Sequence, residues 1–285
     1  QFLGFIAVGF FTGFDAGLIN QIVQNPDEVA NGKVALLVLQ GVHSFFLFVI
    51  TPLIYIASYE QGHTAQVFTR NGSPLLYSLL LTLFIVLASM PLSAWVVEWN
   101  ESVEFPAALK NFEQTARALE DKLRELTEFL TSFDSTPEFL LGLLVIAVLP
   151  GVGEELLFRG VLQNKLQQLF GNPHAAVWVS AIVFSFFHLQ FYGSVPRMLL
   201  GALFGYLYIW SGTLWVPMVA HFINNGYTLL MMHLYNQGIV EVSLDDAEQI
   251  GFGWVAGSVI IVGLLLYTFR EVNRRLANQQ DINLR

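Results

Sequence analysis

Residues 34–57 and 75–97 contain no Asp, Glu, Lys or Arg, and residues 252–269 repeat the pattern. A helix of about 20 apolar residues is the length that crosses the roughly 30 Å hydrocarbon core of a bilayer. Inside that core every backbone N–H and C=O must be satisfied by the protein itself, so runs of this kind fold as helices or as the strands of closed barrels. These runs are far longer than the roughly 9–11 residues of a barrel strand and lack its polar alternation, so helices are expected. Composition agrees: 54% of the 285 residues are hydrophobic, 12% are charged, and the mean hydropathy is +0.57.

The apolar runs predict spans near 2–23, 34–57, 75–97, 138–158, 175–190, 197–210, 213–235 and 252–269. The fold class expected is therefore all-α, a polytopic bundle of about eight spans forming one membrane domain over 1–285. It divides into three N-terminal spans (1–97), a polar excursion (98–137), a core of four spans (138–235), and a last span with a basic tail (236–285). Ser211-Gly212-Thr213 marks the weakest boundary, where a short helix is tilted, broken or partly inserted.

Along the excursion Leu109, Phe112, Ala116, Leu119, Leu123, Leu126 and Leu130 recur at three- and four-residue steps, which predicts an amphipathic helix. Glu113 with Arg117, and Glu120 with Arg124, are i, i+4 pairs. The helix is expected to pack on the membrane domain, to lie at its interface, or to act as a lid.

Basic residues set orientation. With cytoplasmic termini the inner loops receive Arg70, Arg159, Lys165, Arg270, Arg274, Arg275 and Arg285, against Lys33 and Arg197 outside. The acidic loop with Glu241, Asp245, Asp246 and Glu248 then falls outside. The net charge of −9 and the absence of a basic, aromatic-interleaved cluster argue against nucleic acid as a partner. With no cysteine there is no disulfide, thiolate ligand or Cys nucleophile. The chain opens at Gln1 without the features of a signal peptide.

Three polar constellations interrupt the second half. Glu154-Glu155-x-x-x-Arg159 sits at the end of the fourth run, where Glu155 and Arg159 are one helical turn apart and Glu154 points about 100° away. One carboxylate is thus paired and the other left free. Phe184-x-x-x-His188 places a histidine in an apolar helix. His221-x-x-x-Asn225 places a histidine and an amide on one face of another. Each could be a satisfied packing group, but one shared polar cavity accommodates all of them at lower cost than separate burial. A carboxylate, two imidazoles and an amide around water meet the needs of peptide hydrolysis: a base for water, an acid for the leaving amine, and donors for the oxyanion.

In order and residue type these three motifs resemble those of the CAAX-protease and bacteriocin-processing (CPBP, or Abi) family of membrane endopeptidases, over roughly residues 138–235. The resemblance implies that Glu154 and His188 activate water, that His221 and Asn225 stabilise the oxyanion, and that Glu155 and Arg159 support the site. It implies a membrane-associated peptide or protein substrate, and the loop charges place the termini and active-site opening of this integral membrane protein on the cytoplasmic side. Glu154, His188 and His221 could also form a zinc set with an open position. The cofactor is accordingly none or zinc, since the sequence carries both readings and lacks His-Glu-x-x-His. A transporter or binding protein with a buried polar cluster is the non-enzymatic alternative.

Other candidates read as structural: His43, His63, His174, His233, the Met231-Met232 pair and the Phe-rich runs. Asp15 stands in an apolar segment whose neighbours Gly13 and Gly17 point to a broken or short span. No Ser or Thr has a nucleophile's setting. One depth mismatch arises: His188 falls near the outer end of its span, whereas Glu154 and His221 lie toward the inner side.

Overall fold

The computed structural model describes residues 15–59, 75–240 and 251–283, with Gly9, Thr12, Gly13 and Phe68; side chains are described up to residue 276. The described residues form α1 (Ala16–Gln24), α2 (Gly32–Tyr59), α3 (Leu75–Glu101), α4 (Lys110–Thr131), α5 (Thr136–Phe170), α6 (Pro173–Phe187), α7 (Ser194–Ser211), α8 (Trp215–Asn236) and α9 (Phe252–Asn283), with no strand among them. The all-α expectation holds. Among the described residues, four helices are individually long and apolar enough to cross a membrane: α2, α3, α5 and α9. Their outward side chains are large and apolar, as with Ile54, Phe84, Leu140, Ile260 and Tyr267. In water that surface would cost about 25 cal/mol per Å², whereas hydrocarbon accepts it. The protein is an integral membrane protein.

Several boundaries move from their predicted positions. The fourth run does not stop at 158, because α5 continues through Arg159, Gln163 and Asn164 to Phe170, and those polar side chains are buried rather than in a loop. Arg159 therefore drops out of the loop charges used for orientation. The first run is described only from its C-terminal part. There Asp15 caps α1, its Oδ1 accepting from the backbone N–H of Gly17 at 2.8 Å and of Leu18 at 3.1 Å. That is the ordinary work of an N-cap aspartate. His63, Arg70, Glu241, Asp245, Asp246, Glu248 and the backbone of Arg285 lie outside the described residues. Gly212 (φ +67°) ends α7 in the left-handed conformation that favours glycine, so the Ser211-Gly212-Thr213 break is a tight turn between two helices.

Helix α7 lies near the centre of the bundle. Phe204 and Leu207 pack with Ile85 and Val86 of α3, Val216 and Ala220 of α8, and Phe269 of α9. Polar pins reinforce α3 against α9, where Ser78 donates to Asn273 Oδ1 (3.0 Å) and Ser258 to the Ala88 carbonyl (2.6 Å). Small residues bring backbones together around α5, as is usual where lipid gives helices no hydrophobic reason to associate. A Cβ on Gly151 would stand 3.0 Å from the Phe222 nitrogen of α8, and one on Gly153 only 2.7 Å from Phe48 Cβ of α2. On the far side of the site, a Cβ on Gly201 of α7 would meet Ala181 Cα of α6 at 3.1 Å.

Helix α4 is amphipathic as expected, but only the Glu113–Arg117 pair forms (3.1 Å). Arg124 instead reaches Glu101 at the end of α3 (2.9 Å), and Glu120 turns inward to accept from Gln190 (2.9 Å). The predicted Glu120–Arg124 pair fails because both side chains find partners on other elements.

The close approach at Gly153 has a measurable consequence. Gly153→Ala forces α2 and α5 apart at Phe48, where neither backbone nor Cβ can give, and is expected to destabilise by about 1–3 kcal/mol. Thermal unfolding of the detergent-solubilised protein should show a lowered midpoint; an unchanged or raised midpoint would contradict the packing.

Candidate active site

The site is assembled on four consecutive helices, α5 to α8. Helices α5 and α6 are joined by a tight turn at Gly171 (φ +63°) and Asn172, the latter capping α6 with its side chain. Glu154 lies 16 residues before Phe170, and His188 lies 16 residues after Asn172. At 1.5 Å per residue His188 is ~24 Å from that turn, and Glu154 is the same number of residues from it along α5, somewhat less in length because part of that stretch is π-helical. The two residues are therefore level, and the predicted depth mismatch came from ending the fourth span too early. Contacts between the helices confirm the alignment: Phe158 and Phe184 meet edge to face at 5.1 Å, and Ser180 donates to the Phe158 carbonyl at 3.2 Å.

At the centre is Glu155, fully buried. Its Oε1 accepts from Arg159 Nη1 at 2.7 Å and from His221 Nδ1 at 2.9 Å. Arg159, also buried, donates through Nη2 to the Gly201 carbonyl of α7 at 2.7 Å, and its guanidinium lies over the rings of Phe184 (5.1 Å) and Phe204 (5.6 Å). One turn along, Gln163 donates to the Gly205 carbonyl at 3.3 Å, and Asn164 to the Tyr208 hydroxyl at 3.0 Å. This polar ladder fixes α5 in register with α7. It begins where the α5 backbone widens into a π-helix over Leu156–Gln163, a distortion found often at functional sites.

His221 is stacked on Phe204 (centroids 5.2 Å, 28° between planes). With Nδ1 committed to Glu155, the ring turns Nε2 toward Glu154 Oε2, 3.9 Å away. That oxygen is buried and accepts no hydrogen bond from any described residue. The pairing of Glu155 with Arg159 is as expected, and Glu154 stands outside that pair. The bond from Glu155 to His221 was not foreseen, because sequence spacing relates residues within one helix and says nothing about a partner 66 positions away.

His188 follows the last residue of α6. Its Nδ1 donates to the Phe184 carbonyl at 2.9 Å, leaving Nε2 uncommitted, and its ring meets Phe184 at 5.0 Å. Phe184 also contacts the His221 ring at 6.0 Å, so one side chain separates the two imidazoles. The next residue, Leu189, takes a left-handed φ of 55°, a conformation costing a non-glycine residue roughly 1–2 kcal/mol. Asn225 donates to the Ile146 carbonyl of α5 at 3.1 Å and accepts from Asn224 at 3.1 Å. It shares with His221 the face turned to α5, but the two bond to different partners.

Arg197 was counted in the sequence only as a loop charge. At the start of α7 it donates to Gln190, which donates in turn to Glu120 of α4. A zinc set fares less well. Each histidine does anchor its Nδ1, as metal-binding histidines do. Yet among the described residues no three His, Asp or Glu side chains come together as ligands. The arrangement does not fit the Glu154, His188, His221 zinc set.

The comparisons with known proteins fall on these same helices. The Rce1-like type II CAAX prenyl endopeptidase family matches residues 136–227, from the start of α5 to just beyond Asn225. An uncharacterized protein of Bacillus subtilis, YpbD, is 32% identical over 85 residues, which is 28% of this chain and 40% of that protein's length. The chain thus aligns with well under half of that relative. No solved structure matches.

Removing either partner of a buried ion pair leaves an uncompensated charge, at a cost of about 3–5 kcal/mol. Glu155→Gln and Arg159→Met should each destabilise on that scale, and the double variant should lose far less than the sum of the two. Unfolding of all four proteins in one detergent tests this, and additive losses would show that the pair is not coupled.

Proposed function

We propose that the protein is an intramembrane endopeptidase that hydrolyses a peptide bond of a membrane-associated substrate with water activated by Glu154. The observation that carries this reading is the geometry of His221, whose Nδ1 is fixed by Glu155 and whose Nε2 faces the uncommitted oxygen of Glu154. The match to a prenyl endopeptidase family over the helices that build this geometry supports it.

In the proposed reaction, water between Glu154 and His188 gives a proton to the Glu154 carboxylate while its oxygen attacks the scissile carbonyl carbon. His188 accepts the second hydrogen bond of that water at Nε2, since its Nδ1 is occupied. The carbonyl π electrons move to the oxygen. His221 donates to this oxyanion from Nε2 when that nitrogen is protonated, while Glu155 holds Nδ1 and balances the charge. Asn225 assists as a second donor through its amide. Glu154 then passes its proton to the amide nitrogen, the C–N bond breaks, and an amine and a carboxylic acid leave.

A C-terminal CAAX-type sequence on a lipid-anchored protein is the substrate class suggested by the family's name, and a related bacterial peptide fits the same chemistry. For topology we retain the basic part of α9, and Lys165 near the α5–α6 turn, on the cytoplasmic side. Both termini are then cytoplasmic, and His188, at the end of α6 remote from the α5–α6 turn, sets the site toward the opposite face.

Purified protein in detergent and a fluorogenic, lipid-modified peptide provide the test. Glu154→Gln and His188→Ala are expected to lower kcat/KM by about 10²–10⁴ while leaving the unfolding midpoint close to that of the unmodified protein. A variant that retained full activity would remove its residue from the mechanism. In the same assay a strong chelator should leave cleavage intact; loss on chelation and recovery with zinc would overturn the metal-free reading.

A further inference from the structure

Helix α4 has three distinct sides. Glu113, Arg117 and Glu120 face the bundle: Glu113 is buried and accepts from the Phe105 N–H and from Arg117, while Glu120 holds Gln190. At 100° per residue, Phe112, Leu119 and Leu126 fall on one flank of this inward side, and Asp121, Glu125 and Glu128 on the other, with about 150° between the two rows. Both rows are exposed, the apolar one at 49%, 41% and 38%.

Phe112 packs at one edge on Phe105 and Phe191 and is otherwise exposed, and a helix that crossed the end of the bundle in water would have no reason to segregate its two exposed flanks so sharply. A helix lying along the membrane plane would, with one flank in the bilayer and the other in solvent. Its height supports this. Arg124 is tied to Glu101, the last residue of α3, and the exposed indoles of Trp95 and Trp99 lie on the closing turns of α3. Tryptophan is the residue that marks the level of the headgroups. Arg124 of α4 is therefore level with the end of α3, close to the turns that carry those indoles.

We propose that α4 is seated in the bilayer interface, with Phe112, Leu119 and Leu126 inserted at the boundary between headgroups and acyl chains and Asp121, Glu125 and Glu128 in water. The partner is the apolar boundary itself and not an anionic headgroup, because residues 110–131 carry Glu113, Glu120, Asp121, Glu125 and Glu128 against Lys110, Arg117, Lys122 and Arg124. Through Glu120, Gln190 and Arg197 the seated helix holds the segment that follows His188, which links the lipid surface to the candidate site.

The absence of cysteine makes the test direct. Phe112→Cys, Leu119→Cys, Leu126→Cys, Asp121→Cys and Glu125→Cys are each labelled with an environment-sensitive fluorophore in the full chain, reconstituted in phosphatidylcholine vesicles. Nitroxide lipids with the spin label near the headgroup should quench the labels at 112, 119 and 126 at least about twofold more than those at 121 and 125. Equal quenching on the two flanks would overturn the proposal. So would labels at 112, 119 and 126 that escape lipid nitroxides but self-quench with protein density, since a second copy of the chain would then cover the row. Cleavage activity plays no part in this readout, so it stands or falls separately from the peptidase assignment.

Discussion

One oxygen of Glu155 receives both a guanidinium from its own helix and an imidazole from α8, in a part of the bundle with no water-rich surface to dilute either charge. Burying a carboxylate or a guanidinium alone costs several kcal/mol, and the pair is tolerable only when each partner is held and further bonded. Arg159 meets that requirement by donating to the Gly201 carbonyl of α7. The same small cluster thus joins α5, α7 and α8, and the glycines that allow those helices to approach are part of the electrostatic solution. Were Gly201 larger, α7 would be pushed off α6 at Ala181 and the carbonyl that Arg159 needs would shift with it.

The structural consequence is a difference in surroundings between adjacent glutamates, on which the proposed mechanism rests. Glu155 spends its charge on structure and on fixing the ring of His221. Glu154, rotated away on the helix, keeps a buried oxygen that no described residue satisfies and that faces His221 Nε2. His188 reaches the same level from the antiparallel helix α6, with its own Nδ1 tied to a backbone carbonyl. Both ring orientations are consequently fixed by the protein itself, which in the proposed mechanism lets hydrogen bonds act on a transition state without a cost of reorganisation.

Much of this was legible from spacing. The i, i+4 rule separates Glu154 from Glu155 and predicts the Glu155–Arg159 pair, and apolar runs locate α2 and α3 to within a few residues and the start of α9, whose helix continues past the predicted end at 269 to Asn283. The errors share one cause. Polar residues satisfied inside the bundle look, in sequence, like the polar residues of a loop. Arg159, Gln163 and Asn164 therefore ended the fourth span 12 residues before its end at Phe170, and that error displaced His188 from the level of Glu154. Asp15 is the reverse case, a carboxylate within an apolar run whose role is a helix cap. The bonds from Glu155 to His221 and from Glu120 to Gln190 join distant parts of the chain and have no local signature.

The central claim is that Glu154, His188 and His221 act on one carbonyl in one cavity. A structure of the protein bound to a peptide in which the scissile amide is replaced by a tetrahedral hydroxymethylene group tests it most directly. The account predicts the hydroxyl within roughly 2.6–3.2 Å of Glu154 and of His221 Nε2, with His188 on the side from which water attacks. A hydroxyl bound away from all three residues, with Glu154 turned to lipid or to a cation, would contradict it.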